Sequence, residues 1–234
     1  IGSGLVGSEM CIRDRDIHIH TKESSYCARV AARDVVHLYK EKGYQGLIIT
    51  DHYNREFFDH FPNETWKEKV DHYLEGYRQA KAEGAKIGMD IFLGIEFRSV
   101  EHINDFLIFG LTEQFLYERE ELFRLSIEEA SEIFKKAGAL VIQAHPMRTG
   151  VNVLADPACI EGIEVYNGNH QWPYDAGAAE EAAEKYGLIA LSGSDFHMTE
   201  DLAKGGIAFE EPVDGYEDLL RKLRGREITG LIRR

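Results

Sequence analysis

Histidine, aspartate and glutamate recur in this chain at the ends of short apolar runs. His18 and His20 close the run at 16–20, and Asp51 with His52 follow the run at 46–50. Glu96 lies near the end of 91–97, His145 follows 139–143, and Asp195 and His197 follow 188–192. Imidazole and carboxylate donors together suit borderline divalent ions such as Zn, Mn and Fe. Residues two apart project from the same side of a strand, so His18 and His20 can share one ion. Asp195 and His197 repeat that spacing. The seven side chains His18, His20, His52, Glu96, His145, Asp195 and His197 exceed what one tetrahedral ion needs. They predict two or three ions, with a carboxylate bridging a pair. Metals ~3.5–4 Å apart can activate water and stabilise an in-line displacement at phosphorus.

The elements that must position these groups are legible as a pattern. Apolar runs at 16–20, 46–50, 91–97, 106–110, 139–143, 162–167 and 188–192 are continuous rather than alternating. Such runs predict parallel strands buried on both faces. Between most of them lie helix-period segments at 28–42, 64–83, 126–136, 175–186 and 215–223. The fourth residue of 126–136 completes a capping box, Ser126 with Glu129. Strand–helix alternation predicts an α/β fold. Ionisable residues at the same end of several parallel strands converge on one face, as at the C-terminal face of a barrel.

Composition narrows the partners. The chain has 234 residues, with Lys plus Arg 27 against Asp plus Glu 41, a net charge of −14. That balance disfavours long nucleic acid but not a small phosphorylated substrate in a cationic pocket. No run reaches ~18 consecutive apolar residues, so no membrane-spanning helix is expected. Cys11, Cys27 and Cys159 do not make a disulfide framework, which suits a reducing, cytoplasmic setting. Residues 1–15 contain Ser-Glu-Met-Cys-Ile-Arg-Asp-Arg, similar to translated sequencing-adapter sequence. They are expected to be a non-native leader, with one domain over 16–234.

The motifs Asp-Ile-His-Ile-His-Thr, Ile-Thr-Asp-His, Gly-Ile-Glu, Ala-His-Pro and Gly-Ser-Asp-Phe-His stand in this order from Asp16 to His197. In that order they resemble the PHP family (polymerase and histidinol phosphatase). The resemblance implies a distorted (β/α)7 TIM-like barrel with its metal site at the C-terminal ends of the strands. It implies a trinuclear centre of Mn, Zn or Fe that hydrolyses phosphomonoesters or phosphodiesters. Carried over, His18, His20, Glu96 and Asp195 hold the first ion. Glu96 bridges to the second with His145, and His52 and His197 hold the third. Two positions depart from the family pattern. Asp105, rather than His102, is taken for a further ligand of the second ion. Cys27 lies one residue beyond the place of a third-ion ligand and stands as a candidate.

Further residues join the site on chemical grounds. Arg148 follows Ala-His-Pro-Met and offers a fork of donors to a phosphate. His170 lies in the loop after 162–167, at the same end, as a candidate substrate contact. Asp51 is expected to orient ligands rather than bind metal. The predicted activity is hydrolysis of a phosphomonoester or small phosphodiester by a metal-activated water. The candidate substrates are histidinol phosphate, nucleotides or short oligonucleotides, and other small phosphomonoesters. Two alternatives stand beside it. One is an amidohydrolase-like metal hydrolase, whose barrels also begin with His-x-His but add a carboxylated lysine. The other is a non-catalytic metal-binding regulatory module.

Overall fold

Each apolar run read from the sequence forms a strand. In the computed structural model the described residues are 13–234; Met10, Cys11 and the rest of 1–12 lie outside them. Strand β1 (Arg13–Ile19) begins three residues ahead of the start expected at Asp16. Arg13 to Arg15 pair with Phe209 to Ile207, and buried Arg15 forms an ion pair with Asp90. β2 (Gly46–Ile49), β4 (Asp90–Phe97), β5 (Phe106–Phe109), β6 (Leu140–Gln143), β7 (Gly162–Asn167) and β8 (Ile189–Gly193) match the other runs within about two residues. Three short strands lacked an apolar run long enough to be read: β3 (His52–Tyr53), β9 (Gly205–Phe209) and β10 (Gly230–Arg233).

The described strands make one sheet in the order β10-β9-β1-β2-β4-β5-β6-β7-β8, with β3 beside β4. Uniformly parallel strands were expected, and the sheet is mixed. β5 runs antiparallel to both β4 and β6, and β9 runs antiparallel to both β1 and β10. Residues 98–105, between β4 and β5, hold no helix, so the chain turns straight back. The two ends of the sheet meet. His20 N–H donates to Phe196 O at 3.0 Å and Phe196 N–H to His18 O at 3.1 Å, stitching β1 to the residues after β8. Gly205 N–H donates to Ser194 Oγ at 2.8 Å and Gly206 N–H to Ser192 Oγ at 3.2 Å, fastening β9 to the same segment. The result is a nearly closed α/β barrel.

The helices are α1 (Ala32–Glu41), α2 (Arg55–Phe58), α3 (Trp66–Tyr73), α4 (Glu75–Ile87), α5 (Glu113–Glu118), α6 (Ile127–Lys136), α7 (Ala176–Tyr186) and α8 (Gly215–Arg224). The single helix expected over 64–83 is two. Ser24 Oγ accepts the Gly76 N–H at 3.0 Å, an inserted side chain of the kind that breaks a helical ladder. A Cβ on Gly76 would stand 1.9 Å from Thr21 Oγ1, so only glycine lets the helix approach the loop after β1. The capping box of α6 forms as read, between Ser126 and Glu129.

Two apolar layers follow from strand alternation. Val35, Tyr39, Val70, Phe134 and Ala179 of the flanking helices pack with Ile108, Val141 and Ile163 on one face of the sheet. Leu107, Phe109, Leu140, Ile142, Ile189, Leu191 and Ile207 face the other way, where Leu219, Leu220 and Leu223 of α8 cover them. Glu164 alternates with Ile163 and Val165, so it points to this second face, together with the polar centre described next. Among the described residues no helix is long and apolar enough to cross a membrane.

Candidate metal centre

The strand ends bring all seven residues of the motifs together, five of them at the wall of one cleft with His18 and His20 buried behind. His18 and His20 at the end of β1 set their Nε2 atoms 3.1 Å apart. Glu96, near the end of β4, reaches four imidazoles. Its Oε1 lies 3.2 Å from His18 Nε2 and 3.0 Å from His145 Nε2. Its Oε2 lies 3.4 Å from His20 Nε2 and 2.6 Å from His52 Nδ1. Asp195 Oδ1, in the loop after β8, is 3.4 Å from each of His18 Nε2, His20 Nε2 and His197 Nδ1. The rings of His20 and His197 stack at 4.2 Å. Four overlapping trios have donor atoms within 4.8 Å of one another. They are His20–His52–His197, His18–His20–Glu96, His18–His145–Asp195 and Glu96–Asp105–His145.

The surroundings fix which nitrogen of each ring is free. His18 Nδ1 faces Glu164 Oε1 at 2.9 Å. His20 Nδ1 faces Ser25 Oγ at 3.1 Å, and that hydroxyl donates to Asp51 Oδ1 at 2.7 Å. His197 Nδ1 faces the Asp195 carbonyl at 3.0 Å. In each case an Nδ1–H given to the outward partner leaves Nε2 as the nitrogen that a metal in the cleft would take. Asp51 thus orients His20 through Ser25, in the role expected of it. Its other bonds, from Thr21 N and Thr21 Oγ1, are 2.7 Å each. Burial pushes Asp51 up to about 6, against those bonds.

Glu164 was not singled out in the sequence, because it sits inside an apolar strand with no motif around it. It is fully buried, and its Oε2 accepts from His145 N–H and Asn167 Nδ2, both at 3.0 Å. One carboxylate therefore ties β1, the His145 loop and the end of β7 together. The available signal was a lone charge in an otherwise apolar run. We expect Glu164→Gln to weaken divalent-metal affinity by ~10–100-fold with the fold intact, the usual cost of losing a partner behind a ligating histidine. Competition against a chromophoric chelator measures it.

Two of the site's ligand candidates sit on strained backbone. His145 (φ 31°) and Asp195 (φ 50°) adopt the left-handed region that non-glycine residues rarely occupy. Gly193 lies two residues before Asp195, and a Cβ there would stand 2.5 Å from Glu164 Oε1 and 2.6 Å from His18 Cβ.

Charge follows the crowding. Burial opposes a proton on His18, but Glu164, Asp195 and Glu96 outweigh it and hold the ring well above 6.5. Burial, with His197 and His52 nearby, pushes His20 well below that value. Burial would raise Glu96 and Asp195, yet the surrounding imidazoles hold both well below the usual carboxylate range. Burial lowers His197, but the Cys27 hydrogen bond and the Asp195 charge take it up to about 9. Without metal, His197 therefore holds a proton at neutral pH and His18 binds one more firmly than a free imidazole, and ligation must displace them. Apparent metal affinity should fall as pH drops below about 9, by ~tenfold per pH unit for each proton displaced. Chelator competition at about pH 6.5 and about pH 8.5 checks the sign.

The remaining candidates divide. Asp105 joins Glu96 and His145, with Oδ2 3.8 Å from His145 Nε2, and is also gripped by Arg98 at 2.6 and 2.8 Å. His102 lies apart, in a cavity with Arg55 and Ser99. Cys27 borders the cleft. Burial pushes its thiol up, but hydrogen bonds to His197 and His52 bring it down to about 6. Arg148 borders the cleft and ion-pairs with Asp195. His170, the candidate substrate contact, lines a neighbouring cavity rather than the cleft itself, its Nε2 3.2 Å from Tyr166 OH. The residue before it, Asn169, is buried, with its N–H donating to Asn167 Oδ1 at 3.1 Å. Arg29, Arg98, Asn169 and Trp172 also line the cleft of about 360 Å³ and were not read from the sequence, having no motif spacing.

The donor set fits divalent ions. Glu96 Oε2, His52 Nδ1 and His145 Nδ1 are buried without a satisfied hydrogen bond, a condition that proteins avoid unless another partner serves the atoms. Hard carboxylate and borderline imidazole donors suit Mn, Fe and Zn alike.

Known proteins share this architecture. A two-domain protein from Bacteroides vulgatus, containing a predicted PHP-like metal-dependent phosphoesterase, superposes with a TM-score of 0.65 at 17% identity, covering 93% of this chain and 64% of that one. The lesion-specific endonuclease PfuEndoQ from Pyrococcus furiosus gives 0.65 at 17% identity, covering 94% and 58%. An amidohydrolase from Chromobacterium violaceum gives 0.54 at 16% identity, covering 94% and 97%. At these identities the likeness is one of fold, and the chain spans less than two thirds of the first two proteins. No curated protein matches the sequence. The sequence itself matches the PHP domain over residues 16–221, across every motif that builds the cleft, and the chain belongs to that family.

Proposed function

We propose that the protein is a metal-dependent phosphoesterase that hydrolyses a phosphomonoester or small phosphodiester at a centre of two or three divalent ions. The observation that carries this reading is the convergence of four overlapping donor trios in one cleft, with Glu96 Oε2 and His52 Nδ1 left unsatisfied among them. His18, His20, Glu96 and Asp195 would hold the first ion, and Glu96, His145 and Asp105 the second. His52 and His197, with His20 and Cys27 beside them, would hold the third. Ions so held act as Lewis acids on phosphoryl oxygens and lower the pKa of water toward ~7.

The chain supplies the rest. Glu164, Ser25 and the Asp195 carbonyl keep three imidazoles in the tautomer that faces the cleft. Arg148 and Arg98 hold cationic forks at the cleft wall, each parked on an acidic neighbour. Their donors match the equatorial oxygens of a phosphoryl group, whose charge they would help to neutralise. The net charge of −14 makes that pocket a local exception and favours small substrates.

An amidohydrolase of the carboxylated-lysine type is less well supported, since no strand from β1 to β10 contains a lysine. The test is phosphate release from histidinol phosphate, nucleoside monophosphates and glycerol 2-phosphate, and strand cleavage of short oligonucleotides, with Mn²⁺ and with chelator. Chelator-sensitive release from at least one class is expected. Metal-loaded protein inert toward every ester would refute the reading.

A further inference from the structure

The metal cleft shares a wall with a second cavity. Asn169 and Trp172 border both, and the second cavity, of about 300 Å³, is further lined by Tyr166, His170, Pro173 and Tyr174. Four of these six side chains are aromatic rings. Trp172 is 51% exposed, a large apolar surface left in water at the mouth of a polar cleft. Isolated exposed hydrophobes are unremarkable, but a cluster of rings in a concavity beside a reactive centre is a ligand-binding arrangement.

Three of the rings are tied in place by hydrogen bonds. Tyr174 donates its hydroxyl to the Glu164 carbonyl, and Tyr166 OH meets His170 Nε2 at 3.2 Å. The segment is also fastened to the loop that carries Arg148. Arg148 and Tyr174 form an antiparallel bridge. Thr149 N–H donates to Pro173 O at 3.0 Å and Asp175 N–H to Met147 O at 3.2 Å. Arg148, which grips Asp195, and the ring-lined cavity therefore keep a fixed relation, the preorganisation that a two-part ligand needs.

We propose that this second cavity receives the alcohol portion of the substrate, and that this portion carries a planar heteroaromatic ring, namely a nucleobase. The inference rests on the phosphoesterase reading: the phosphate lies among the metal residues and Arg148, the base against Trp172. Every base has a π-face that an aromatic side chain can stack, so the subsite accepts purines and pyrimidines alike. A cavity of about 300 Å³ is at the small end for ligand sites, and with the acidic net charge it favours a mononucleotide over a strand.

The test compares Trp172→Ala, Trp172→Phe and the wild type on adenosine 5′-monophosphate, uridine 5′-monophosphate, histidinol phosphate and glycerol 2-phosphate. The KM ratio of either nucleotide to glycerol 2-phosphate should rise roughly 10- to 100-fold in Trp172→Ala, with kcat moving far less, and Trp172→Phe should restore most of it. Adenosine, which has no phosphate, should quench wild-type tryptophan fluorescence but not the Trp66 emission left in Trp172→Ala. Equal effects on ring-bearing and ring-free esters, or no quenching by adenosine, would overturn the subsite. A ring effect confined to histidinol phosphate would overturn the nucleobase assignment. If no ester is cleaved at all, the phosphoesterase reading fails, and the adenosine quenching alone decides the subsite.

Discussion

Replacing Asp195 or His18 with alanine should abolish phosphoester turnover, by ~10³-fold or more, and lower bound metal. Asp195 Oδ1 stands 3.4 Å from three imidazoles, so its loss removes a donor from beside His18, His20 and His197 together. His18 Nε2 lies at the meeting of Glu96, His20 and Asp195. Its removal also takes the hydrogen-bond partner from Oε1 of the buried Glu164, whose Oε2 keeps His145 N–H and Asn167 Nδ2. A buried polar atom left without its partner is costly, so His18→Ala should lose stability as well as activity, whereas Asp195→Ala frees Arg148 toward the cleft. Elemental analysis of the purified variants, beside their phosphate release, measures both effects. Wild-type turnover in either variant would sink the ligand assignment.

The second large effect is on the fold. A Cβ at Gly205 would stand 2.1 Å from Gly193 O, 2.2 Å from Gly193 C and 2.6 Å from Ser194 N. All three are backbone atoms of the seam where β8 meets β9, so no side-chain rotation relieves the clash. Gly205→Ala should therefore cost roughly 3 kcal/mol, the upper part of the overpacking range. For a chain of this length that lowers Tm by roughly 10 °C. The strain would also reach the centre, since Gly193 and Ser194 lead directly into Asp195. We expect reduced metal affinity in the variant at temperatures where it is still folded. A thermal melt within about 1 °C of wild type would show that the seam is looser than described.

Much of the site was legible because metal chemistry leaves a local mark. His18-x-His20 and Asp195-x-His197 each carry two donors at strand spacing, so a short window identifies them. Glu164 left no such mark, because its partners, His18 and the His145 backbone, are distant in sequence and its neighbours are apolar. The grip of Arg98 on Asp105 is likewise tertiary, as is the sharing of His20 among more than one trio. In the fold, long apolar strands such as β4 and β7 announced themselves. β9 begins with two glycines and β10 with one, and both are recognisable only from the partners they pair with. The reversal of β5 was hidden for a related reason. Phe106 to Phe109 is buried on both faces, a pattern shared by parallel strands and by a central antiparallel one. α8 reads as an ordinary amphipathic helix, and nothing in its sequence says that it covers the second apolar layer rather than the first.

The central claim is that this cleft works through the ions it holds. The most direct measurement titrates metal-stripped protein with Mn²⁺ and follows bound metal per chain together with phosphate release from adenosine 5′-monophosphate and glycerol 2-phosphate. Release should be absent without metal, rise with occupancy and level off at two or three ions per chain, the number expected for the overlapping donor trios. Release that is independent of bound metal, or full occupancy with no hydrolysis of these or of any other ester in the panel, would refute it.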